Sequence, residues 1–277
     1  MRYLVALLIT LSGCLSASGP GEPAPSPGPA DELPDSFAWN AAGCNAAILA
    51  LLPDYATVQS WLPAGFTPGD PQDFLGLTVP VGRALVVVGT IQCPEQLNPG
   101  VEDYAHATVA IFIKNPPGQM PDAHHFYDVS HSAQGWLWRE FDRQAWPAHD
   151  FPITLDFPAA DVPPVNEVRA AYIEASYADD GGEGTIEVVT GAPFRSTDQE
   201  DWNLWFWRVT PQWLAGLNLQ FSRVAVLGAA ACQFDADTMP AQVTGFENCA
   251  GQTDPPVGAV YGDIEIQARL ASFVVDW

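Results

Sequence analysis

The chain has 277 residues, with 33 Asp and Glu against 10 Lys and Arg, a formal net charge of −23. Nucleic-acid binding needs clustered cations to displace phosphate counterions and is excluded by that balance, as is a polybasic membrane patch. With 48% apolar and 11% aromatic residues, the chain can bury a core and is not disordered throughout.

In chain order, Arg2 precedes an apolar run from Tyr3 to Leu11, too short to span a bilayer as a mature helix. The run ends in Leu11-Ser12-Gly13-Cys14, which resembles the lipobox of bacterial lipoproteins. That resemblance implies that residues 1–13 are a signal peptide cleaved after Gly13, and that acyl groups are placed on Cys14. Two chains anchor stably, at roughly 0.8 kcal/mol per buried CH2. The lipid bilayer is then a partner through Cys14, and the cell envelope is the expected location. Leu15 stands where lipoprotein sorting commonly reads Asp as inner-membrane retention, which points to the outer membrane in a Gram-negative cell. Loss of Arg2 makes the mature charge 9 − 33 = −24. Residues 14–35 are read as the lipidated cysteine and a disordered Pro/Gly/Ser-rich tether, which cannot bury enough surface to offset its ordering entropy. Residues 36–277 then form one β-rich globular domain.

Four cysteines remain: Cys44, Cys93, Cys232 and Cys249. An even number after export reads as two disulfides. Three connectivities are open; Cys44–Cys93 and Cys232–Cys249 are preferred because each pair flanks one contiguous stretch. Without a C-x-x-C spacing, metal ligation by cysteine has no support.

A helix is expected over Asp54–Leu62, with Asp54 as its cap and Pro63 beyond it. Strands are expected at 83–91 and at Thr108–Lys114, where Val109, Ile111 and Ile113 alternate with their neighbours. Residues 167–177 and Thr185–Thr190 flank Asp179-Asp180-Gly181-Gly182, a hairpin signal whose tip is expected to be solvated. Further strands are expected at 202–209, 219–228 and 263–275, and a second helix at Gln212–Leu219. With 26 prolines and 23 glycines as punctuation, the fold class is mainly β: a single antiparallel barrel or sandwich with a few short helices.

The stretch Ala56–Pro68, ATVQSWLPAGFTP, resembles the N-terminal region of acetoacetate-decarboxylase-like proteins. Tyr104-Ala105-His106-Ala107 before a strand, Arg139-Glu140 with Pro147 downstream, and the terminal SFVVDW (272–277) are similar to further pieces of that family. The resemblance implies a mostly antiparallel β-barrel with an interior pocket. The family decarboxylates through a Schiff base on a lysine of lowered pKa. Here Ala148 and His149 follow Pro147, His106 stands where a glutamate is expected, and Lys114 is the only lysine. Schiff-base chemistry is therefore not expected, no catalytic residue is named, and no cofactor is called for.

All five histidines fall between His106 and His149. In an unbroken strand His125 and His131 would share one face and His124 the other. No zinc spacing is matched, so no metal ligands are named. His106, His125, Trp138, Arg139 and Glu140 are the candidate pocket residues, since aromatic walls with a few polar groups suit a small organic ligand. The tryptophans at 136, 138, 146, 202, 205, 207 and 213 line that pocket or fill the barrel core. Glu167, Glu174 and Glu187 form no carboxylate pair beyond what so acidic a chain produces by chance. The leading expectation is an envelope-anchored barrel binding a small apolar or carboxylate-bearing ligand. The alternatives are an enzyme on the same scaffold using His/Glu acid–base chemistry, and a structural or partner-binding surface lipoprotein.

Overall fold

A computed structural model describes residues 37–94, 104–114, 123–134, 137, 139, 149–150, 155–156, 171–179, 181–190, 195–209, 212–249 and 257–272. The expected signal peptide, lipobox and tether, and Trp138 and Glu140, lie outside the described residues. Among the described residues no helix is long and apolar enough to cross a membrane.

The chain runs β1 (Phe37–Leu51), α1 (Tyr55–Gln59), α2 (Pro71–Leu75), β2 (Val86–Cys93), β3 (Tyr104–Ile113) and β4 (His124–Ala133). It continues through β5 (His149–Asp150), β6 (Leu155–Asp156), β7 (Ala171–Asp179), β8 (Gly182–Thr190), β9 (Arg195–Val209) and β10 (Gln212–Phe234) to α3 (Met239–Thr244) and β11 (Val257–Ser272). The order β11-β1-β2-β3-β4-β9-β10 is closed by pairing of β10 with β11, so seven strands form a barrel with no free edge. These pairings are antiparallel except β4–β9, which is parallel. The mainly β barrel expected from the sequence is the fold observed.

β10 is long enough to serve two sheets. Its first half pairs with β9 and β11, and Ala229–Phe234 pairs with β8, so the β7–β8 hairpin continues the sheet beyond the barrel. The helix expected at Gln212–Leu219 is instead the start of this strand. Pairing on both sides satisfies its backbone, and Asn218 donates to Asn203 on β9 at 2.9 Å, an interaction that local propensity does not register.

Strand alternation separates two apolar layers. One draws on every barrel strand: Ala41, Ala46, Val87, Phe112, Phe126, Leu204, Leu219, Ile264 and Ile266 belong to it, and it faces the interior. The other lies on the outside of the barrel wall, where Leu49, Val88, Ile111, Trp205 and Trp207 pack against Val58 of α1, Val243 of α3, and Tyr177 and Ile186 of the hairpin.

The helix after β1 spans Tyr55–Gln59, shorter than expected. Asp54 occupies the capping position in extended conformation, but its side chain makes no cap hydrogen bond and is drawn to the Arg83 guanidinium. The hairpin forms as expected, with Asp179 opposite Gly182; Gly181 and Gly182 are half-buried and Glu183 is exposed, while Asp179 turns inward. The Asp179 carboxylate is buried and accepts from the Tyr177 hydroxyl (2.6 Å) and from the backbone N–H of Gly181 (2.8 Å) and Met239 (2.8 Å). Gly181 is required there, since a Cβ would lie 1.8 Å from the Asp237 carbonyl oxygen. Three donors fix the charge, one of them the first amide of α3, so this end of the hairpin is held against α3.

Both preferred disulfides are present. Cys44–Cys93 joins β1 to β2, and Cys232–Cys249 ties the loop carrying α3 to the end of β10. They close stretches of 49 and 17 residues, each worth about 3–4 kcal/mol by restriction of the unfolded chain.

Candidate ligand site inside the barrel

Registers across β1, β2, β3 and β4 place side chains in rows on the inner face, because residues directly opposite one another share a side. One row is Ala46, Ile91, His106 and Ala133; the next is Ile48, Gly89, Thr108 and His131; the third is Ala50, Val87, Ala110 and Asp128. A fourth level is aromatic, with Phe112 opposite Phe126 and Phe126 opposite Phe206 on β9.

The polar groups meet in the middle. Thr108 Oγ1 is 3.1 Å from Asp128 Oδ1, and Arg208 of β9 donates from Nη1 to Asp128 Oδ2 at 3.2 Å. The Asp128 side chain is 1% exposed and that of Arg208 19%, so this is a largely desolvated ion pair. His106 and His131 stack beside it with ring centroids 5.4 Å apart. Burial, reinforced by the charge His131 would carry, lowers the His106 pKa to about 3, so His106 is neutral at physiological pH. Small residues, Ala46, Ala50, Ala110, Ala133 and Gly89, share this wall with Ile48, Val87 and Ile91. A Cβ on Gly89 would meet only Ile48 and Thr108, both at 3.9 Å.

The far end is plugged. Asp70 caps α2 by accepting from the Gln72 N–H at 3.0 Å, Pro71 starts the helix and Gly76 ends it in left-handed conformation. The helix delivers Phe74 among Phe112, Phe126, Trp202 and His124, at centroid separations of 5.0–5.6 Å. Gly69 makes the approach feasible: its N–H donates to the Phe112 carbonyl at 2.9 Å, and a Cβ would lie 2.6 Å from the Phe112 ring.

Of the candidate residues named from sequence, His106 is in the site. His125 is not. Between Val109↔Ser130 and Ala110↔Asp128 the β4 register shifts at Val129, a bulge that inverts the inside–outside parity. His131 and His124 therefore face inward, and His125 faces the outer layer, correcting the expectation that His125 and His131 share a face. There Trp207 Nε1 donates to His125 Nδ1 at 3.0 Å, a hydrogen bond of the packed core. Burial also lowers the His124 pKa, with Asp73 opposing. Arg139 is exposed, on the helical turn after β4. Trp205 and Trp207 fill the outer layer, while Trp202 reaches the plug. Lys114 is exposed at the end of β3, its N–H bonded to the Thr67 carbonyl. Asp128 and Arg208 went unnamed in the sequence reading. The available signal was weak: Asp128 is the one carboxylate of β4, among three histidines, and Arg208 follows the aromatic run 205–207 of a strand that also carries Arg195, Asp198, Glu200 and Asp201.

A closed β-barrel with an ion pair and two stacked histidines on its inner wall is the class of protein that fold and site define. No protein-family profile and no curated protein sequence matches the chain. Among solved structures it is similar to an acetoacetate decarboxylase-like enzyme from Sphingomonas wittichii RW1, with 17% identity, TM-score 0.49, 83% of this chain covered and 91% of that one. It is also similar to the enduracididine biosynthesis enzyme MppR (16%, 0.49, 84% and 87%) and to acetoacetate decarboxylase from Legionella pneumophila (11%, 0.48, 86% and 87%).

Proposed function

We propose that this is an envelope-anchored lipoprotein whose barrel binds a small organic ligand without Schiff-base decarboxylation. The observation that carries the binding reading is the inner-wall patch of Thr108, Asp128, Arg208, His106 and His131 on an otherwise apolar wall. Polar groups within an apolar enclosure are expensive unless they serve structure or a ligand, and convergent polar groups on an otherwise apolar wall are the usual form of a small-molecule site. A Schiff base needs a desolvated amine. The only lysine of the chain is exposed at the end of β3, away from that patch.

Of the acid–base candidates, His106 is poorly suited to the task. A histidine held near pKa 3 is a weak base at neutral pH, far from the value an efficient proton shuttle needs. Anchoring rests on the lipobox-like Leu11–Cys14 and the tether, and two disulfides suit an oxidising compartment.

Native mass spectrometry of the mature protein purified from membranes tests both parts. The expected result is the mass of a chain beginning at acylated Cys14, with a small molecule retained or taken up. An unacylated chain removes the anchor. If no small molecule is retained and none from a broad panel is taken up, the structural or partner-binding reading replaces the ligand reading. Trapping of a β-keto acid adduct on Lys114 by borohydride would overturn the rejection of Schiff-base chemistry.

A further inference from the structure

The charges on the inner wall restrict what a ligand there can be. Among the described side chains, the guanidinium that reaches this wall is that of Arg208, and its counter-charge is already in place: Asp128, on the neighbouring strand, holds it at 3.2 Å. Thr108 approaches the other carboxylate oxygen at 3.1 Å. The two histidines beside the pair stack on one another from adjacent rows, His106 between Ile91 and Ala133 and His131 next to Thr108. A carboxylate brought to Arg208 meets attraction from the guanidinium and repulsion from Asp128 over nearly the same distance, while losing its hydration. An uncharged acceptor suffers neither the repulsion nor the full desolvation cost. It can still take the guanidinium N–H groups that Asp128 leaves. The small wall residues and the aromatic level below leave the rest of the ligand apolar.

We propose that the barrel takes an uncharged compound bearing a carbonyl or hydroxyl group on an apolar body, and that Asp128 is the residue that selects against carboxylates. The proposal rests on the ligand-binding reading above and deepens it. His106, neutral through burial, adds no positive charge that would rescue an anion.

The test uses matched probes differing only in the charged group: phenylacetamide, 2-phenylethanol and phenylacetate, with hexanamide and hexanoate as an aliphatic pair. Binding to the mature domain at pH 7 is read by ligand-observed NMR and calorimetry. The expected result is at least tenfold tighter binding of the neutral member in a pair, with Asp128→Asn narrowing or reversing that ratio and Asp128→Glu preserving it. Carboxylates binding the wild type as tightly as their neutral partners would overturn the proposal while leaving the binding reading intact. A wild-type preference unchanged in Asp128→Asn would remove Asp128 as its source. If neither series binds, and native mass spectrometry finds nothing retained, the binding reading falls and the proposal with it. The wild-type comparison needs no variant to fold.

Discussion

His106 and His131 stack at 5.4 Å inside the barrel because the bulge at Val129 turns His131 inward. Without it, the alternation of β4 would send His131 to the outer layer with His125. His106 makes the inner wall sensitive to acid, and the neighbouring ion pair makes it sensitive to charge removal.

Acid should weaken the fold through His106. Its folded pKa of about 3 lies below the ordinary 6.5, so between those values the unfolded chain binds more protons than the folded one. Stability from this group is therefore complete above about pH 6.5 and declines as pH falls toward 3, by about 1.4 kcal/mol per pH unit. Urea unfolding at pH 7, 5 and 4 should show His106→Gln losing less stability on acidification than the wild type. Parallel losses would contradict the assignment. In NMR titrations the His106 resonances should stay unshifted down to pH 4.

Removing one partner of the buried pair should cost more than removing both. Asp128→Ala leaves Arg208 without its counter-charge in a largely desolvated place and is expected to destabilise by about 3 kcal/mol. The double change Asp128→Ala with Arg208→Met should recover part of that loss. Denaturant unfolding of the two single variants and the double variant measures the coupling.

Tyr177 ties the hairpin to the barrel wall. Its hydroxyl donates to Asp179 and lies 3.1 Å from Ser130 Oγ on β4, and burial with the Asp179 charge holds its pKa well above the ordinary value. Tyr177→Phe should cost about 1–2 kcal/mol by leaving part of a buried carboxylate unsatisfied. Faster hydrogen exchange at the Gly181 and Met239 amides would locate the loss at the docked turn; unchanged exchange there would argue against the tie.

Two glycines should respond oppositely to alanine. At Gly69 the new methyl would lie 2.6 Å from a Phe112 ring already packed against Phe74 and Phe126, and a loss of about 1–3 kcal/mol is expected. At Gly89 the methyl would make ordinary contacts at 3.9 Å on the inner wall, and stability should stay within about 0.5 kcal/mol. Thermal unfolding of both variants decides, and a Gly89→Ala loss as large as that at Gly69 would mean the wall is tightly packed there.

Much of the fold could be read locally. β2, β3 and the β7–β8 hairpin follow from β-branched runs and turn residues. β1 could not, because FAWNAAGCNAAILAL is alanine-rich and twice interrupted in register, so its strand character comes from pairing with β2 and β11. Gln212–Leu219 went wrong for the same reason: its extended form is secured by β9 and β11, far away in sequence.

The sequence by itself determined a mainly β domain, an even set of four cysteines after Cys14 and the single lysine, since these depend on local pattern and count; which cysteines pair was decided by the fold. Which histidines face inward, and which two charges among so many meet, was decided by tertiary structure alone. A bulge of one residue reverses the side on which every following side chain emerges. An ion pair between Asp128 and Arg208, separated by 80 positions, exists only because closing the barrel lays β9 beside β4.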